Sequence, residues 1–363
     1  MNENMRYQLE KLLANDRLDD HQLRLKVSEI LDFQDQESKT NSCVKLQDLM
    51  EQSIQEMAQT DFGGKVIETG FKEFDRQHAG FLLGELVVIG ARPGMGATQL
   101  LVNLAMNFSV KNPVLFASYD MSDFMLSTRF MSHISGFSTD QLMLSRLSPI
   151  QKNHLLDRIK QFVEHAIIVG KPENSSITSF KKFCIEQVEK HGVKVIILDS
   201  IQRLTHHNYR NNRELEVNYV VSELKNLAKE LDICVIASSQ LSRSVEMRGG
   251  SKRPRLSDLR DSGGIEQSAD KVIFLYRPSY YGLSETKEGF STERLMEFIL
   301  AKNTNGLLST TYLFHDRIFR KISDASTDLN EFEFAPNRLD ELDSDTPPDY
   351  YKTRNDAEDD VPF

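Results

Sequence analysis

The stretch Gly90-Ala91-Arg92-Pro93-Gly94-Met95-Gly96-Ala97-Thr98 is the first in this chain whose residue types and spacing suit a chemical task. It follows the apolar run Leu86-Val87-Val88-Ile89 and leads into a helical pattern from about Thr98 to Val110. A strand, a glycine-rich turn and a helix, in that order, aim backbone N–H groups at a phosphate. The helix N-terminus favours the phosphate charge. The usual pattern closes with Gly-Lys-Ser/Thr. Gly96 and Thr98 keep to it, whereas Ala97 stands in the lysine's place. Taken alone, the same stretch also fits a plain tight turn.

Two later positions make a set with it. Asp199 ends the run Val193-Lys194-Val195-Ile196-Ile197-Leu198, where a carboxylate can hold Mg²⁺ together with Thr98. Gln240 follows Ile233-Cys234-Val235-Ile236-Ala237, where a polar side chain can sense a terminal phosphate. A strand ending in Asp or Gln is common. Their order matters more, because open α/β sheets bind ligands at the carboxyl ends of their strands.

The elements that must position these residues are legible as periodicity. Further apolar runs occur at Val114-Leu115-Phe116-Ala117, Ala166-Ile167-Ile168-Val169 and Val272-Ile273-Phe274-Leu275. Continuous apolar strands alternating with helical segments predict an α/β fold with a mainly parallel sheet covered on both faces. Residues 295–300 predict a late strand; Tyr312-Leu313-Phe314 and Ile318-Phe319 predict a terminal hairpin. Residues 1–42 predict short helices, Leu9, Leu12 and Leu13 recurring at helical spacing, then Leu23, Val27, Ile30 and Leu31. A further helix is predicted within 43–64, before the main domain at 65–325. Residues 326–363, dominated by Asp, Glu, Pro, Ser and Asn, predict a disordered acidic tail.

Composition narrows the function classes. Of 363 residues, 39% are hydrophobic and 27% charged, which suits a globular domain with a sizeable core. No stretch approaches the roughly 20 apolar residues of a membrane span, and the N-terminus lacks the apolar core of a signal peptide. The default location is therefore cytoplasmic, without membrane contact. Cys43, Cys184 and Cys234 are too scattered for a zinc site or a disulfide framework. The net charge of −10 is concentrated in the tail, leaving residues 1–325 near neutral. Within them a basic run extends from Arg243 to Arg260 and includes Arg248, Lys252, Arg253 and Arg255. Tyr280 and Tyr281 show no pattern of base-stacking aromatics.

Several segments, in order, resemble the motor domain of DnaB-type replicative helicases. They are Thr69-Gly70-Phe71 to Asp75, Ala91-Arg92-Pro93-Gly94-Met95-Gly96, Leu198-Asp199-Ser200-Ile201-Gln202, Leu227-Ala228-Lys229-Glu230-Leu231, and Ser239-Gln240-Leu241-Ser242-Arg243-Ser244. The longest is Ser257-Asp258-Leu259-Arg260-Asp261-Ser262-Gly263-Gly264-Ile265-Glu266-Gln267-Ser268-Ala269-Asp270. The resemblance covers about 65–325. It implies a RecA-like P-loop NTPase fold that binds ATP and Mg²⁺ through Arg92, Pro93, Gly94, Met95, Gly96, Ala97, Thr98 and Asp199. It also implies a hexameric ring on single-stranded DNA in replication, with the helix at 43–64 as the linker that docks on a neighbouring subunit. About 42 residues precede it, too few for the larger N-terminal domain of full helicases.

Three positions depart from the family pattern. Ala97 replaces the phosphate-loop lysine. Asp120 stands for the catalytic glutamate. In Ala301-Lys302-Asn303-Thr304, Lys302 persists while Thr304 replaces the arginine that reaches into the neighbouring site. The expectation is a catalytic set of Asp120, Gln240 and Lys302 with weakened or lost ATP hydrolysis. Arg243, Arg253, Arg260 and Gly263 match the family's DNA-gripping loops. The acidic end 356–363 resembles the tip of bacterial single-stranded-DNA-binding proteins, a peptide that recruits replication or repair partners. Two readings follow: a helicase motor domain as homo-hexamer or in a mixed ring with an intact helicase, or a non-catalytic DNA-binding scaffold.

Overall fold

The computed structural model describes residues 45–325 except 60–63, 145, 163–165, 210, 260–262, 287–288, 290 and 317–320. The expected N-terminal helices, the acidic tail, Arg260, Cys43 and the predicted strand residues Ile318 and Phe319 therefore lie outside the described residues. The chain divides into two units, Met1–Gly64 and Lys65–Phe363. In the first, the described element is helix α1 (Leu46–Gln59), in which Leu46, Leu49, Met50 and Ile54 are exposed.

The second unit is built on nine strands: β3 (Leu86–Ala91), β4 (Val114–Ser118), β5 (Ile167–Val169), β6 (Val195–Asp199), β7 (Cys234–Gln240), β8 (Lys271–Tyr276), β9 (Leu295–Asn303), β10 (Ser309–Asp316) and β11 (Lys321–Asp324). They stand in the order β11-β10-β9-β8-β3-β7-β6-β4-β5, beside a two-stranded pair, β1 (Val66–Ile67) and β2 (Phe81–Leu82). The six strands from β8 to β5 are parallel, and β9, β10 and β11 add an antiparallel edge. The expected mainly parallel α/β sheet is thus present. The hairpin's return strand is Lys321–Asp324, just beyond the predicted residues.

The helices are α2 (Lys72–His78), α3 (Ala97–Phe108), α4 (Asp123–Ser135), α5 (Thr139–Met143), α6 (Pro149–Gln161), α7 (Ile177–His191), α8 (Arg213–Leu231), α9 (Ser244–Met247) and α10 (Gly263–Ser268). No helix among the described residues is long and apolar enough to cross a membrane.

Successive residues of a strand point to opposite faces, and here both faces are buried. Leu86, Val88, Ile196, Leu198, Val235 and Ala237 pack with Phe180 and Cys184 of α7, with Val217 to Ala228 of α8 and with Ile265 of α10. Val87, Ile89, Val195, Ile197 and Ile236 pack on the other side with Phe74 and with Leu100, Leu101 and Leu104 of α3. This two-sided burial explains why the strands read as continuous apolar runs rather than as alternation.

At the amino edge of the parallel strands lies a charged network. Lys271, first in β8, donates to Glu85 at 2.6 Å, with side chains only 3% and 5% exposed. Beside it Lys225 of α8 binds Asp270, and Asp270 accepts the Leu86 N–H.

Candidate functional site

The phosphate loop leaves β3 at its carboxyl end. Met95 N–H bonds back to the Arg92 carbonyl, and α3 begins directly after Gly96. Gly94 and Gly96 have φ of 84° and 100°, a left-handed backbone that glycine adopts without steric cost. A Cβ at Gly94 would stand 3.1 Å from the Tyr280 ring, and one at Gly96 3.3 Å from Met296. Met95 is different: its side chain is buried in the core, so only its backbone belongs to the loop.

Sheet register brings the other residues alongside. Ala91 pairs with Gln240 and Ser118 with Asp199, so β3, β7, β6 and β4 end together. Thr98, in the first turn of α3, donates its hydroxyl to Asp199 at 2.9 Å. Ser238 donates to the other Asp199 oxygen at 2.6 Å. Asp199 is buried, and burial pushes its carboxyl above the ordinary range. The Ser238 and Thr98 hydrogen bonds oppose that shift, Asp120 adds to it, and Arg129 opposes it. A buried carboxylate whose ionised form is disfavoured, next to a hydroxyl, is an oxygen donor pair suited to a hard cation. Among the described residues no cluster of three or more His, Cys, Asp or Glu could hold a metal by itself. The Thr98–Asp199 oxygen pair suits Mg²⁺, which keeps waters and phosphate oxygens among its ligands.

These residues line a cavity of about 1230 Å³. It exceeds the roughly 300–1,000 Å³ of a drug-sized ligand site, so a nucleoside triphosphate with a metal ion has room. Arg92, Pro93, Gly94, Gly96, Ala97, Thr98, Asp120, Asp199 and Gln240 all face it. Arg92 serves as a brace, its guanidinium held by Glu246 at 2.8 Å and by the Leu241 carbonyl at 2.8 Å. The Gln240 N–H donates to Gln202 Oε1, while Gln202 Nε2 donates to Ser239. Asp120 accepts the Ser200 hydroxyl on one oxygen and Arg203 Nε on the other.

Among the lining residues, Arg129, Arg203, Arg277 and His315 escaped the sequence reading, and Tyr280 was considered there only as a stacking aromatic. Arg277 donates to the Gly94 carbonyl and so holds the loop. Arg277 and Tyr280 follow the end of β8, and the carboxyl-edge rule applied to that strand would have found them. No local signal marks Arg129, in the middle of α4.

The basic run forms the excursion after β7, at the same carboxyl edge, and folds largely upon itself. Arg248 pairs with Asp258, Lys252 donates to the Glu246 and Arg248 carbonyls, and Arg253 is held by Glu297 at 2.7 Å and Thr310 at 2.7 Å. Arg243 and Arg255 are exposed and form no ion pair among the described residues. Among the described residues nothing lies within 4 Å of a Cβ on Gly263, whereas one on Gly264 would clash with Asn218 at 2.4 Å. Internal packing thus constrains Gly264.

Lys302 and Thr304 lie elsewhere. Asn303 pairs with Lys271, the first residue of β8, so this segment sits at the amino edge, opposite the chain's own cavity. The Lys302 ammonium donates to the carbonyls of Glu266, Gln267 and Ala269, closing the end of α10. The Thr304 N–H and hydroxyl both donate to the Asp270 carbonyl at 3.0 Å.

Comparison with known proteins identifies the family to which this fold belongs. Residues 66–324 match the family model for the DnaB-like helicase C terminal domain. The replicative DNA helicase DnaB of Geobacillus stearothermophilus is 34% identical over 275 residues, 74% of this chain and 59% of that protein. The chain thus spans little more than half the length of the curated relatives it matches. A solved ATPase domain is covered over 100% of its length and 78% of this chain, with a TM-score of 0.71 and 27% identity. A DnaB-like replicative helicase, studied with its primase interactions, superimposes with a TM-score of 0.73 at 26% identity, over 89% of this chain and 75% of that one.

Proposed function

The chain belongs to the family of DnaB-like helicase C-terminal domains, and from that premise we propose that it is an ATP- and single-stranded-DNA-binding motor domain of DNA replication with slowed hydrolysis. The observation that carries the reading is the Thr98–Asp199 hydrogen bond at the mouth of a glycine cradle, inside a cavity of nucleotide size. Mg²⁺, when bound, would offset the negative charge of the nucleotide's phosphates. Thr98 and Asp199 would hold it, the loop backbone would meet the phosphates, and Gln240 would sense the terminal one. Ala97 leaves the loop without its cation, and Arg129, Arg203 and Arg277 provide positive charge from other walls. Lys302 and Thr304, at the opposite edge, suit contact with the next subunit of a ring of identical copies or of a mixed ring with an intact helicase.

The direct test is Mg²⁺-dependent ATP binding and DNA-stimulated turnover, with Ala97→Lys measured beside the unmodified chain. We expect binding in both. Turnover should be slow in the unmodified chain and raised on the order of 10²-fold in the variant, the scale of one preorganised charge on a developing anion. Failure to bind Mg–ATP would sink the reading. Binding without any turnover would favour the scaffold, to which Ala97 and Thr304 lend support.

The DNA contact has its own test. Arg243→Ala and Arg255→Ala should each weaken single-stranded DNA binding uniformly across sequences. Each should flatten the dependence of log K on log salt by about 0.7, the share of one phosphate contact on a single strand. Arg253→Ala should change the slope less, because that guanidinium is held by Glu297 and Thr310. Equal slopes for all three variants would remove the distinction.

A further inference from the structure

The cavity is lined by two carboxylates and four arginines, and three of the arginines are placed by other work. Arg92 braces the loop against Glu246, and Arg277 holds the Gly94 carbonyl. Arg129 lies close enough to Asp199 to offset its charge. Arg203 differs from them in exposure and attachment. Its side chain is 59% exposed, and Nε alone is fixed, by Asp120. Its two terminal amino groups make no hydrogen bond among the described residues.

The fixation is specific. Residues 201–203 form a single 3₁₀ turn directly after Asp199 and Ser200. The Arg203 N–H closes that turn on the Ser200 carbonyl at 3.1 Å. Asp120, entering from the end of β4, grips both ends of the turn at once: Ser200 Oγ at 2.9 Å on one oxygen and Arg203 Nε on the other. Between them, Gln202 is tied to Ser239 and to the Gln240 N–H. An exposed arginine ordinarily samples many rotamers. This one is anchored at Nε, which leaves its fork directed by the carboxylate behind it.

We propose that Arg203 is a catalytic residue for phosphoryl transfer, an arginine supplied in cis to the terminal phosphate and positioned by Asp120. This rests on the nucleotide reading above. In-line transfer to water spreads negative charge over the three equatorial oxygens of the moving phosphoryl group. The bond to the bridging oxygen of the diphosphate breaks, a bond to water oxygen forms, and the proton passes to solvent or to phosphate. A guanidinium placed only four residues beyond the Asp199 metal ligand meets that charge. The need is clear from the rest of the chain: Ala97 brings no cation, and Thr304 is uncharged and bound to the Asp270 carbonyl. Asp120 then acts through Arg203 as a positioning residue, its carboxylate bridging the Ser200 hydroxyl and Arg203 Nε.

The test compares the full chain with Arg203→Ala, Arg203→Lys, Asp120→Ala and the Arg203→Ala/Asp120→Ala double variant. Two readouts are needed: kcat for DNA-stimulated ATP hydrolysis, and affinity for the non-hydrolysable β,γ-imido analogue of ATP with Mg²⁺. Arg203→Ala should lower kcat on the order of 10²-fold or more while analogue affinity stays within about threefold, as for an arginine that acts in the transition state. Arg203→Lys should not rescue, lacking the planar fork. The double variant should be no worse than Arg203→Ala, because Asp120 acts through the same group. Wild-type kcat in Arg203→Ala overturns the proposal, and so does a loss of affinity equal to the loss of rate. A double variant far slower than Arg203→Ala also overturns it, by giving Asp120 an independent role. Analogue binding without turnover in the unmodified chain overturns the proposal and leaves the nucleotide reading standing. Absence of binding overturns both.

Discussion

Lys271→Met is expected to lower the melting temperature by roughly 6–20 °C, the largest stability loss of any single change considered. Lys271 and Glu85 are buried together at the amino edge of the central strands, at 3% and 5% side-chain exposure. Removing the ammonium leaves Glu85 with the Leu82 N–H at 3.0 Å and Asn305 Nδ2 at 3.4 Å, and no counter-charge. An uncompensated buried charge of this kind costs about 3–5 kcal/mol. In a domain of this size each kcal/mol shifts the midpoint by roughly 2–4 °C. The Glu85→Gln/Lys271→Met double variant should recover most of the loss, because a buried pair often contributes little net stability once both charges are gone. A double variant as unstable as Lys271→Met alone would refute the account. There is also a local consequence. The segment from Lys302 to Asn305 hangs on this network through Asn305 to Glu85 and Thr304 to the Asp270 carbonyl. Amide exchange at Thr304, whose N–H donates to Asp270, should therefore quicken in Lys271→Met more than at β3.

The same network illustrates how far the sequence can be read. The strands were legible because both faces of the sheet are covered, so Leu86 to Ile89 or Ile233 to Ala237 stand out as unbroken apolar runs. Their carboxyl ends were not: β3 continues through Gly90 and Ala91, and β7 through Ser238 to Gln240, because ladder pairing carries on where side chains turn polar. Thr98 and Asp199 could be placed together from strand order alone, since any ligand site in such a sheet gathers at that edge. Arg203 and Arg129 could not. Their importance arises from what reaches them across the sheet, a carboxylate from β4 in one case and Asp199 in the other. A count of basic residues likewise failed to separate Arg253 from Arg243. The difference lies in Glu297, 44 residues away in sequence, which claims the first and not the second.

Asp199→Asn is expected to raise the melting temperature of the ligand-free protein while lowering ATP turnover on the order of 10²–10³-fold, the scale of losing metal-assisted charge stabilisation. The two effects have one cause. Burial raises the Asp199 carboxyl above the ordinary aspartate value of 3.8, so ionising that group costs more in the folded chain than in the unfolded one. A raised value means that the group's contribution is fully present below the ordinary aspartate range and is lost as pH climbs through its folded value. At neutral pH the native chain therefore carries the cost of an ionised, buried carboxylate. Asparagine mimics the protonated form. Its oxygen can accept from Ser238 and its amide can donate to Thr98, so both partners stay satisfied. The gain in stability should be largest at neutral pH and fade as pH falls towards 3.8. Thermal shift measurements from acid to neutral pH, with and without Mg–ATP, read both effects together. The unmodified chain should gain stability from Mg–ATP, and the variant should gain little. A variant less stable than the native chain at neutral pH would mean that Asp199 is held for packing and hydrogen bonding. A more stable variant that has lost its response to Mg–ATP would mean that the fold carries a destabilising charge at the one position where a bound cation relieves it.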